Sequence, residues 1–524
     1  MGNRVYIYDA TLRDGIQREG ISLSIEDKLR IATRLDALGV SYIEGGFPGS
    51  NPKDAEFFNR AKDLNLKNAK IVAFGSTCRK GMPAFKDEGL NTIIKSGVKV
   101  AALVGKASAE QVEHVLNTTR DESIRMIRDS IRYLREAGIE VFFDAEHFFD
   151  GYVYDKEYSL RVLRVAAEAG ASCLVLCDTN GGTLPQDIHR IVTIVKQEFS
   201  DVQLGIHAHD DSGCAVANTL LAVACGVEQV QGCMNGYGER VGNANLATII
   251  PALELKMGYD VVGKEALSQL TSIAQFVAET ANVSLDAHAP YVGSSAFTHK
   301  GGFHVSAVMR DHDSYNHVDP QLVGNFARIV VSELAGRAAL EAKSLELGID
   351  LSRDPKTVER VLSRVKELEA NGYSFEVANA SLALLIADEC GGRNEYFRLE
   401  TFRVITERMP DGTSNSEATI KIHVGDNRYV ATGEGNGPVN ALDAALRLAI
   451  AESYPEVEAI ELTDYKVRVL DESSGTDACT RVLIESTDGR QSWGTVGVSE
   501  NVIEASWDAL VESIAYGLMR QGCQ

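Results

Sequence analysis

The first half of the chain alternates between short apolar runs and amphipathic helical patterns. Eight apolar runs with strand character lie at residues 5–8, 41–47, 71–75, 98–104, 140–143, 173–177, 204–207 and 229–233. Helical patterns separate them, for example at residues 24–38, 123–137, 158–169 and 185–199. Eight strand–helix units over about 250 residues are typical of a (β/α)8 or TIM barrel. A doubly wound open sheet is the alternative, but no glycine-rich dinucleotide loop follows the first run.

Polar residues cluster at the ends of six of these runs. They are Asp9, Thr11, Arg13, Asp14 and Gln17 after the first, Glu44 at the second, Asp144 and Glu146 after the fifth, Asp178, Thr179 and Asn180 after the sixth, His207 and His209 at the seventh, and Asn235, Glu239, Arg240 and Asn243 after the eighth. The carboxyl ends of the strands form the catalytic face of such barrels. We therefore predict one active site built from these residues.

The pair His207 and His209 ends the seventh run. Two imidazoles at i and i+2 on a strand point the same way, so both can bind one ion. With Asp14 brought close by barrel closure, they form a set that suits Zn, Mn, Fe or Co, or Mg with less preference for nitrogen. Asn243 could supply a fourth, oxygen ligand. Alone, a His-x-His pair is often a chance surface feature, so the prediction depends on Asp14.

Four further residues are candidates for contact with a substrate. Arg13 could stabilise negative charge on a carbonyl oxygen, although a salt bridge with Asp14 or Glu44 is the simpler interpretation. Thr179 could bind a substrate carboxylate, or serve only as a turn residue. Glu146 is a candidate base or substrate-orienting carboxylate, with an ordinary surface glutamate as the alternative. Glu44 is a candidate substrate contact, but it is better suited, like Asp178, to orienting its neighbours.

The remainder of the chain changes pattern twice. We predict a barrel domain at residues 1–285, a mostly helical connector at 286–390 and an α+β domain at 391–524. The connector has helical patterns at 332–348 and 354–371, and the last domain has strand patterns at 395–406, 416–424, 457–469 and 480–486. Seven residues between Tyr429 and Ile450 match seven between Trp493 and Ile514 at a spacing of 64 positions, with chance matching as the alternative. We predict a domain of two similar halves.

Composition limits the class of protein. The chain has 524 residues, of which 52 are basic and 74 acidic, and its net charge of −22 argues against nucleic acid or an anionic membrane as the main partner. It has neither an apolar run long enough to span a membrane nor a signal-peptide pattern at its start. Its nine cysteines are scattered, which favours free thiols in a reducing compartment. We expect a soluble cytoplasmic enzyme.

Several of these motifs together resemble one family of metal-dependent acyltransferases and lyases. The family includes 2-isopropylmalate, homocitrate and citramalate synthases and 3-hydroxy-3-methylglutaryl-CoA lyase. The resemblance is carried by DATLRDGIQ at residues 9–17, where the family usually has Thr at Ala10, by GIHAHDD at 205–211 and by NGYGERVGN at 235–243. GEGNGPVNA at 433–441 resembles the regulatory domain of the 2-isopropylmalate synthases. The resemblance covers nearly the whole chain.

Two more segments resemble the citramalate synthase branch of that family. They are FDAEHFFDG at residues 143–151 and EGGFPGSNP at 44–52. The resemblance implies condensation of acetyl-CoA with pyruvate to citramalate and CoA, an entry step to isoleucine. It also implies that Asp14, His207 and His209 hold a divalent metal, with Asn243 near it or bound to it. Arg13 would support the oxyanion, and Thr179 would hold the carboxylate of pyruvate.

The resemblance also implies roles for the connector and the last domain. Glu146 matches an active-site glutamate of the family. His304 and Tyr315 match a histidine and a tyrosine that family members place over the site, often from the partner subunit, although the GGFH loop around His304 could equally be a structural turn. The C-terminal domain would respond to isoleucine, and the protein would form a homodimer or a larger oligomer.

Three alternatives stay open at this point. One is a sister synthase that uses a larger 2-oxo acid, such as 2-oxoisovalerate. Another is a lyase of the retro-aldol type, which would have no need of a C-terminal regulatory domain. The last is a non-catalytic, amino-acid-sensing protein on a barrel, against which the intact set of metal ligands argues.

Overall fold

The computed structural model describes residues 4–299, 302–311, 314–331, 336–351, 354–392, 394–470 and 478–522. The chain forms two compact units. One contains residues 1–297 and 317–326, and the other contains residues 298–316 and 327–524. The predicted division into three domains, with boundaries after residues 285 and 390, stays a prediction. Among the residues that the structure describes, no helix combines the length and apolar character that crossing a bilayer requires.

The first unit is a closed barrel of eight parallel strands in sequence order, which confirms the predicted fold. Each strand coincides with a predicted apolar run to within a few residues. The strands are β1 (Tyr6–Asp9), β2 (Tyr42–Gly46), β3 (Lys70–Ser76), β4 (Val100–Lys106), β5 (Glu140–Glu146), β6 (Cys173–Asp178), β7 (Gln203–Ala208) and β8 (Gln229–Gly232). Strands β4 and β5 extend two and three residues past their predicted ends. Their last residues, Lys106 and Glu146, are therefore still part of the sheet.

Helices connect the strands and cover the outside of the barrel. They are α1 (Ile25–Leu38), α2 (Pro52–Ala61), α3 (Glu88–Ser96), α4 (Ala109–His114), α5 (Arg120–Glu136), α6 (Phe148–Tyr154), α7 (Lys156–Ala169), α8 (Pro185–Glu198), α9 (Ala215–Ala224), α10 (Leu246–Pro251), α11 (Lys264–Leu267) and α12 (Leu270–Thr280). Helix α1 shows why such segments are helical. Ser24 and Asp27 form a capping box at its start, and Gly39 ends it in the left-handed conformation.

Strand register determines which side chains share the interior of the barrel. Neighbouring residues in register on parallel strands project to the same face, and successive residues of one strand alternate between faces. Tyr8 pairs with Gln231, and Gln231 pairs with His207. Tyr8, Gln231 and His207 therefore form one interior layer, and His209, two residues further on, lies at the carboxyl end of the barrel.

The second unit contains the connector helices and two three-stranded antiparallel sheets. Its elements are β9 (Thr298–His299), α13 (Gly302–Arg310), β10 (Arg328–Ile329), α14 (Arg337–Glu346), α15 (Pro355–Ala370), α16 (Asn379–Glu389), β11 (Arg398–Arg408), β12 (Ser414–Val424), β13 (Asn427–Gly435), α17 (Pro438–Ile450), β14 (Glu461–Val469), β15 (Thr480–Thr487), β16 (Ser492–Ser499) and α18 (Val502–Arg520). The helix expected from residue 332 begins at Arg337, and residues 332–335 lie outside the described part. The strand expected from residue 457 begins at Glu461, because a 3-10 helix occupies Pro455–Ala459.

The predicted internal repeat is present in the last part of the chain. Each half consists of three antiparallel strands and one helix, in the orders β11-β12-β13-α17 and β14-β15-β16-α18. The cross-strand register also repeats, because Ala418 pairs with Gly433 and Val482 pairs with Gly497, 64 positions later. Buried residues of both halves form one shared core, which includes Ile420. The spacing seen in the sequence therefore reflects a structural repeat rather than chance.

Candidate active site

Asp14 lies in a tight turn at the carboxyl end of β1. The backbone N–H groups of Arg13, Asp14 and Gly15 all donate to the carbonyl oxygen of Ala10. This turn folds the chain back over the barrel and leaves the Asp14 side chain only 6% exposed. The turn thereby directs the side chain of Asp14, which follows β1 in the sequence, into the mouth of the barrel.

Asp14, His207 and His209 come together at this mouth. Nε2 of His207 lies 3.7 Å from Oδ2 of Asp14, and Nε2 of His209 lies 3.9 Å from Oδ1. One potential ligand atom from each residue falls within 4.8 Å of the other two. All three side chains are buried. The structure therefore gathers an aspartate and two histidines that lie about 190 positions apart in the chain.

A hydrogen-bond chain inside the barrel fixes which nitrogen of His207 faces Asp14. Nδ1 of His207 lies 2.9 Å from Oε1 of Gln231, whose Nε2 donates to Oδ1 of Asp144 over 3.2 Å. Because the amide oxygen of Gln231 can only accept, the imidazole carries its proton on Nδ1. Nε2 of His207 is then left as a free lone pair on the side of Asp14.

Asn243 joins this group through backbone pairing between two loops. The segment after β8 pairs with the end of β7, since the N–H of Asp210 donates to the carbonyl of Gly242 and the N–H of Ala244 donates to the carbonyl of Ala208. Gly242 has a φ of 105°, a conformation that L side chains rarely adopt. The amide Nδ2 of Asn243 donates to Oδ1 of Asp14 over 2.9 Å.

The residues at the mouth fit a divalent cation. The buried Oδ1 of Asn243 has no hydrogen-bond partner among the described residues, and the same is true of Nδ1 of His209. Burial and the neighbouring His209 lower the pKa of His207 to about 4, so its imidazole is neutral at neutral pH. Burial alone would raise the pKa of Asp14, but Arg13 and the two histidines hold it well below its usual range. An ionised carboxylate, as at Asp14, and a neutral imidazole, as at His207, are the forms that bind metal.

Arg13 makes both of the ion pairs that its sequence context suggested. Its Nη1 donates to Oδ2 of Asp14 over 2.9 Å, and its Nε donates to Oε2 of Glu44 over 2.7 Å. The guanidinium carbon also lies 4.0 Å from the ring centroid of Phe74. A guanidinium carries five N–H donors, so these two bonds leave others free to face a ligand.

Glu44 is fully buried behind Arg13. Its Oε1 accepts from the hydroxyl of Tyr8 over 2.8 Å, while its Oε2 accepts from Arg13. Burial raises the pKa of Glu44, although Arg13 and Tyr8 oppose this. Both oxygens are engaged, which supports the orienting role; a direct contact with substrate stays a prediction.

Thr179 directly follows β6, and Glu146 is the last residue of the neighbouring strand β5. The hydroxyl oxygen of Thr179 accepts from the backbone N–H of His147 over 2.8 Å, and its carbonyl accepts from Arg240. Oε2 of Glu146 lies 2.6 Å from Nζ of Lys106. Both residues therefore lie on the predicted face, and both are already held by neighbours. Their predicted chemical roles stay predictions.

His304 and Tyr315 belong to the second compact unit. Their rings are stacked with centroids 4.2 Å apart, and both side chains are exposed. His299 lies near both rings, and its Nε2 is 3.0 Å from Oδ1 of Asn316. His304 and Tyr315, to which the resemblance gives a joint role, thus contact each other. Their position over the active site stays a prediction.

Sequence reasoning missed Gln231, Tyr8 and Lys106. The available signal is a polar residue at every second position of an otherwise apolar strand, because this spacing puts it on the inner face of a closed barrel. Gln229 and Gln231 show this pattern on β8.

Family models match three consecutive parts of the chain. Residues 4–277 match the HMGL-like model, residues 291–373 match a homocitrate synthase post-HMGL domain-like model, and residues 376–518 match the LeuA allosteric (dimerisation) domain. The (R)-citramalate synthase of Aquifex aeolicus (strain VF5) is 52% identical over 523 residues, covering 99% of each chain. The chain belongs to the citramalate synthase branch of the HMGL-like family.

Other relatives within the HMGL-like family agree with this placement. The (R)-citramalate synthase of Streptomyces coelicolor is also 52% identical, over 99% of this chain and 97% of that protein. The 2-isopropylmalate synthase of Methanocaldococcus jannaschii is 31% identical, over 98% and 94% of the two chains. The resemblance predicted from the motifs, including its branch, is confirmed.

Proposed function

We propose that the protein is an (R)-citramalate synthase, which condenses acetyl-CoA with pyruvate and water to give citramalate and CoA. The observation that carries the proposal is the buried cluster of Asp14, His207 and His209 at the mouth of the barrel. The chain that forms this barrel is also 52% identical, over 99% of its length, to an enzyme of this name. The retro-aldol lyase is less well supported, because the chain continues into a LeuA-type domain.

Asp14, His207 and His209 would hold one divalent metal, with Asn243 as a further oxygen donor. When bound, such an ion would supply Lewis acidity toward the ketone of a 2-oxo acid and a template that orients it. Ligand type alone leaves Mn, Zn, Mg and Co as candidates. The orphaned Oδ1 of Asn243 and the free Nε2 of His207 support this assignment.

The other residues at the mouth would orient and stabilise the substrates. The Thr179 hydroxyl would donate to the pyruvate carboxylate, since its oxygen already accepts from the backbone. The unused N–H groups of Arg13 would donate to the ketone oxygen as it becomes an alkoxide. Glu44 and Phe74 hold the guanidinium in place for this role.

Glu146 would act as the base. Its carboxylate would take a proton from the acetyl methyl group, and the resulting enolate carbon would form a bond to the ketone carbon of pyruvate as the C=O π bond breaks. The alkoxide oxygen would then take up one proton, in exchange for the one that Glu146 removed, and become the hydroxyl of citramalyl-CoA. Water then hydrolyses the thioester of the citramalyl-CoA product and releases CoA, which makes the sequence irreversible. His304 and Tyr315 would complete the site, contributed by the partner subunit.

We also infer that the C-terminal repeat domain regulates the enzyme. Its match to the LeuA allosteric (dimerisation) domain supports a homodimer or a larger oligomer and an amino-acid effector, for which isoleucine is the candidate. Effector binding would act by changing how the connector covers the barrel mouth. A cytoplasmic location is part of the same proposal, and the eight free cysteines of the described residues suit a reducing compartment.

A thiol-release assay tests the proposed function. Purified protein is incubated with acetyl-CoA and a panel of 2-oxo acids, with and without a chelator. The proposal predicts release of CoA with pyruvate at a much higher kcat/KM than with 2-oxoisovalerate, and loss of activity in chelator. A preference for 2-oxoisovalerate would instead identify a 2-isopropylmalate synthase, and an absence of turnover with every 2-oxo acid would contradict both.

A further inference from the structure

A lysine ends the strand next to the one that carries Glu146. Lys106 is the last residue of β4, and its Nζ lies 2.6 Å from Oε2 of Glu146, the last residue of β5. The two residues are partners in the strand register, and the N–H of Ala107 continues the ladder by donating to the Glu146 carbonyl. Only 17% of the lysine side chain and 27% of the glutamate side chain are exposed.

The ion pair faces the mouth of the barrel. Asp144 points inward, because it accepts from Gln231 on the opposite side of the interior. Glu146 follows two positions later on the same strand, so it has the same direction one layer higher. Val104 pairs with Asp144 as Lys106 pairs with Glu146, and the lysine therefore shares this face.

Two arginines near the mouth are engaged with other carboxylates. Arg13 pairs with Asp14 and Glu44, and Arg240 forms two bonds to the carboxylate of Asp211. Lys106 thus forms an ion pair with the Glu146 carboxylate, to which neither arginine forms an ion pair. A glutamate side chain has three rotatable bonds, and an ion pair with a residue anchored on the adjacent strand selects among its conformers.

We propose that Lys106 is a positioning residue that holds the Glu146 carboxylate in the orientation needed to take a proton from the substrate. The inference rests on the proposed function. A base displaced by about 1 Å can lose about 100-fold in rate, so a positioning contact of this kind is reflected in kcat. Substrate affinity, which depends on Thr179, Arg13 and the metal ligands, would change little.

Steady-state kinetics of three variants test the role of Lys106. Lys106→Met is expected to lower kcat by about 10-fold or more while KM for pyruvate stays within about 3-fold. Lys106→Arg, which keeps a cation, is expected to restore most of the loss. Combining Lys106→Met with Glu146→Gln should be no slower than Glu146→Gln alone, since the lysine acts through that carboxylate. Lys99→Met, an exposed lysine beside the opposite end of β4, is the matched control.

Three results would overturn the proposal. They are wild-type turnover in Lys106→Met, a rise in KM for pyruvate of more than about 10-fold at unchanged kcat, and multiplicative losses in the double variant. The second result would place Lys106 on the substrate itself. If Lys106→Met fails to fold, as judged by circular dichroism, Lys106→Gln is measured in the same series. Inactive wild-type protein would refute the proposed function, whereas active wild type with an unaffected lysine variant refutes the role of Lys106 alone.

Discussion

Oε1 of Gln231 accepts a hydrogen bond from Nδ1 of His207 over 2.9 Å, on the neighbouring strand of the barrel. This contact, which Asp144 supports from the other side of the amide, sets the tautomer of a candidate metal ligand. Partners of this kind also fix the ring orientation of a ligating histidine. Metal affinity should therefore depend on a residue that does not touch the metal.

Replacing Gln231 by Leu should weaken metal binding. The variant loses the acceptor that keeps the proton on Nδ1, and we expect affinity for Mn²⁺ to fall about 10- to 100-fold, as measured by calorimetric titration of metal-free protein. Gln203→Leu changes the same residue type at the amino end of β7 and serves as the control. Equal affinities in the two variants would show that the contact has no influence on the metal.

Glu146→Gln and His304→Ala should each lower turnover far more than pyruvate affinity. Both residues are assigned to proton transfer or closure of the site rather than to pyruvate binding, so kcat should fall by about 100-fold or more while KM changes little. Steady-state thiol release measures both parameters. Wild-type turnover in either variant would remove that residue from the mechanism.

The stability of the metal-free protein should depend on pH through Asp144. Burial, and then the charge of Glu44, raise the pKa of Asp144 from 3.8 to about 7. Between pH 3.8 and about 7 the Asp144 carboxyl is ionised in the unfolded chain but protonated in the folded protein. Its contribution to the free energy of unfolding therefore falls as the pH rises across this range, and it is lost above about pH 7. Relative to wild type, Asp144→Asn should gain stability between pH 5 and pH 8, on the order of 3 kcal/mol.

Urea unfolding of wild type and Asp144→Asn at the two pH values measures this difference. Asp201→Asn, on an exposed loop residue, should show no such gain. A stability difference between wild type and Asp144→Asn that is the same at pH 5 and pH 8 would contradict the assignment.

Gly433 and Gly497 occupy equivalent positions in the two halves of the C-terminal domain. Replacing either of them by alanine should destabilise that domain. A Cβ on Gly433 would clash with the backbone of Ala441 and Ala445 in α17, and a Cβ on Gly497 would clash with the backbone of Ala505 in α18. We expect each substitution to cost about 1–3 kcal/mol, seen as faster hydrogen exchange in the strand and helix of its own half. Gly437→Ala, where a Cβ meets no atom within 4 Å, is the control, and equal exchange in all three variants would argue against close packing.

The barrel was predictable because its strands are nearly continuous apolar segments. β6, for example, is buried at every position, so both faces of the strand require apolar residues and its pattern is easy to recognise. Boundaries in the second unit were less predictable. The segment Pro455–Ala459 has apolar and acidic residues compatible with a strand, but Pro455 fits the first turn of a short 3-10 helix instead.

The candidate site was predictable only in part. Asp14, His207 and His209 follow or end strands, and the eightfold closure of a barrel brings such residues together whatever their separation in sequence. The contacts of Gln231 and Lys106 depend on strand register instead. Sequence gives no spacing rule for side chains on neighbouring strands until the register is known, so these two residues emerged only from the structure.

The proposed function requires Asp14, His207 and His209 to bind one divalent cation at the mouth of the barrel. Calorimetric titration of Mn²⁺ into chelator-treated, metal-free protein tests it most directly, with Asp14→Asn and His209→Gln titrated alongside wild type. We expect one ion bound per chain in wild type and a loss of that binding in both variants, each still folded by circular dichroism. Binding of Mn²⁺ to both variants with wild-type affinity and stoichiometry would contradict it.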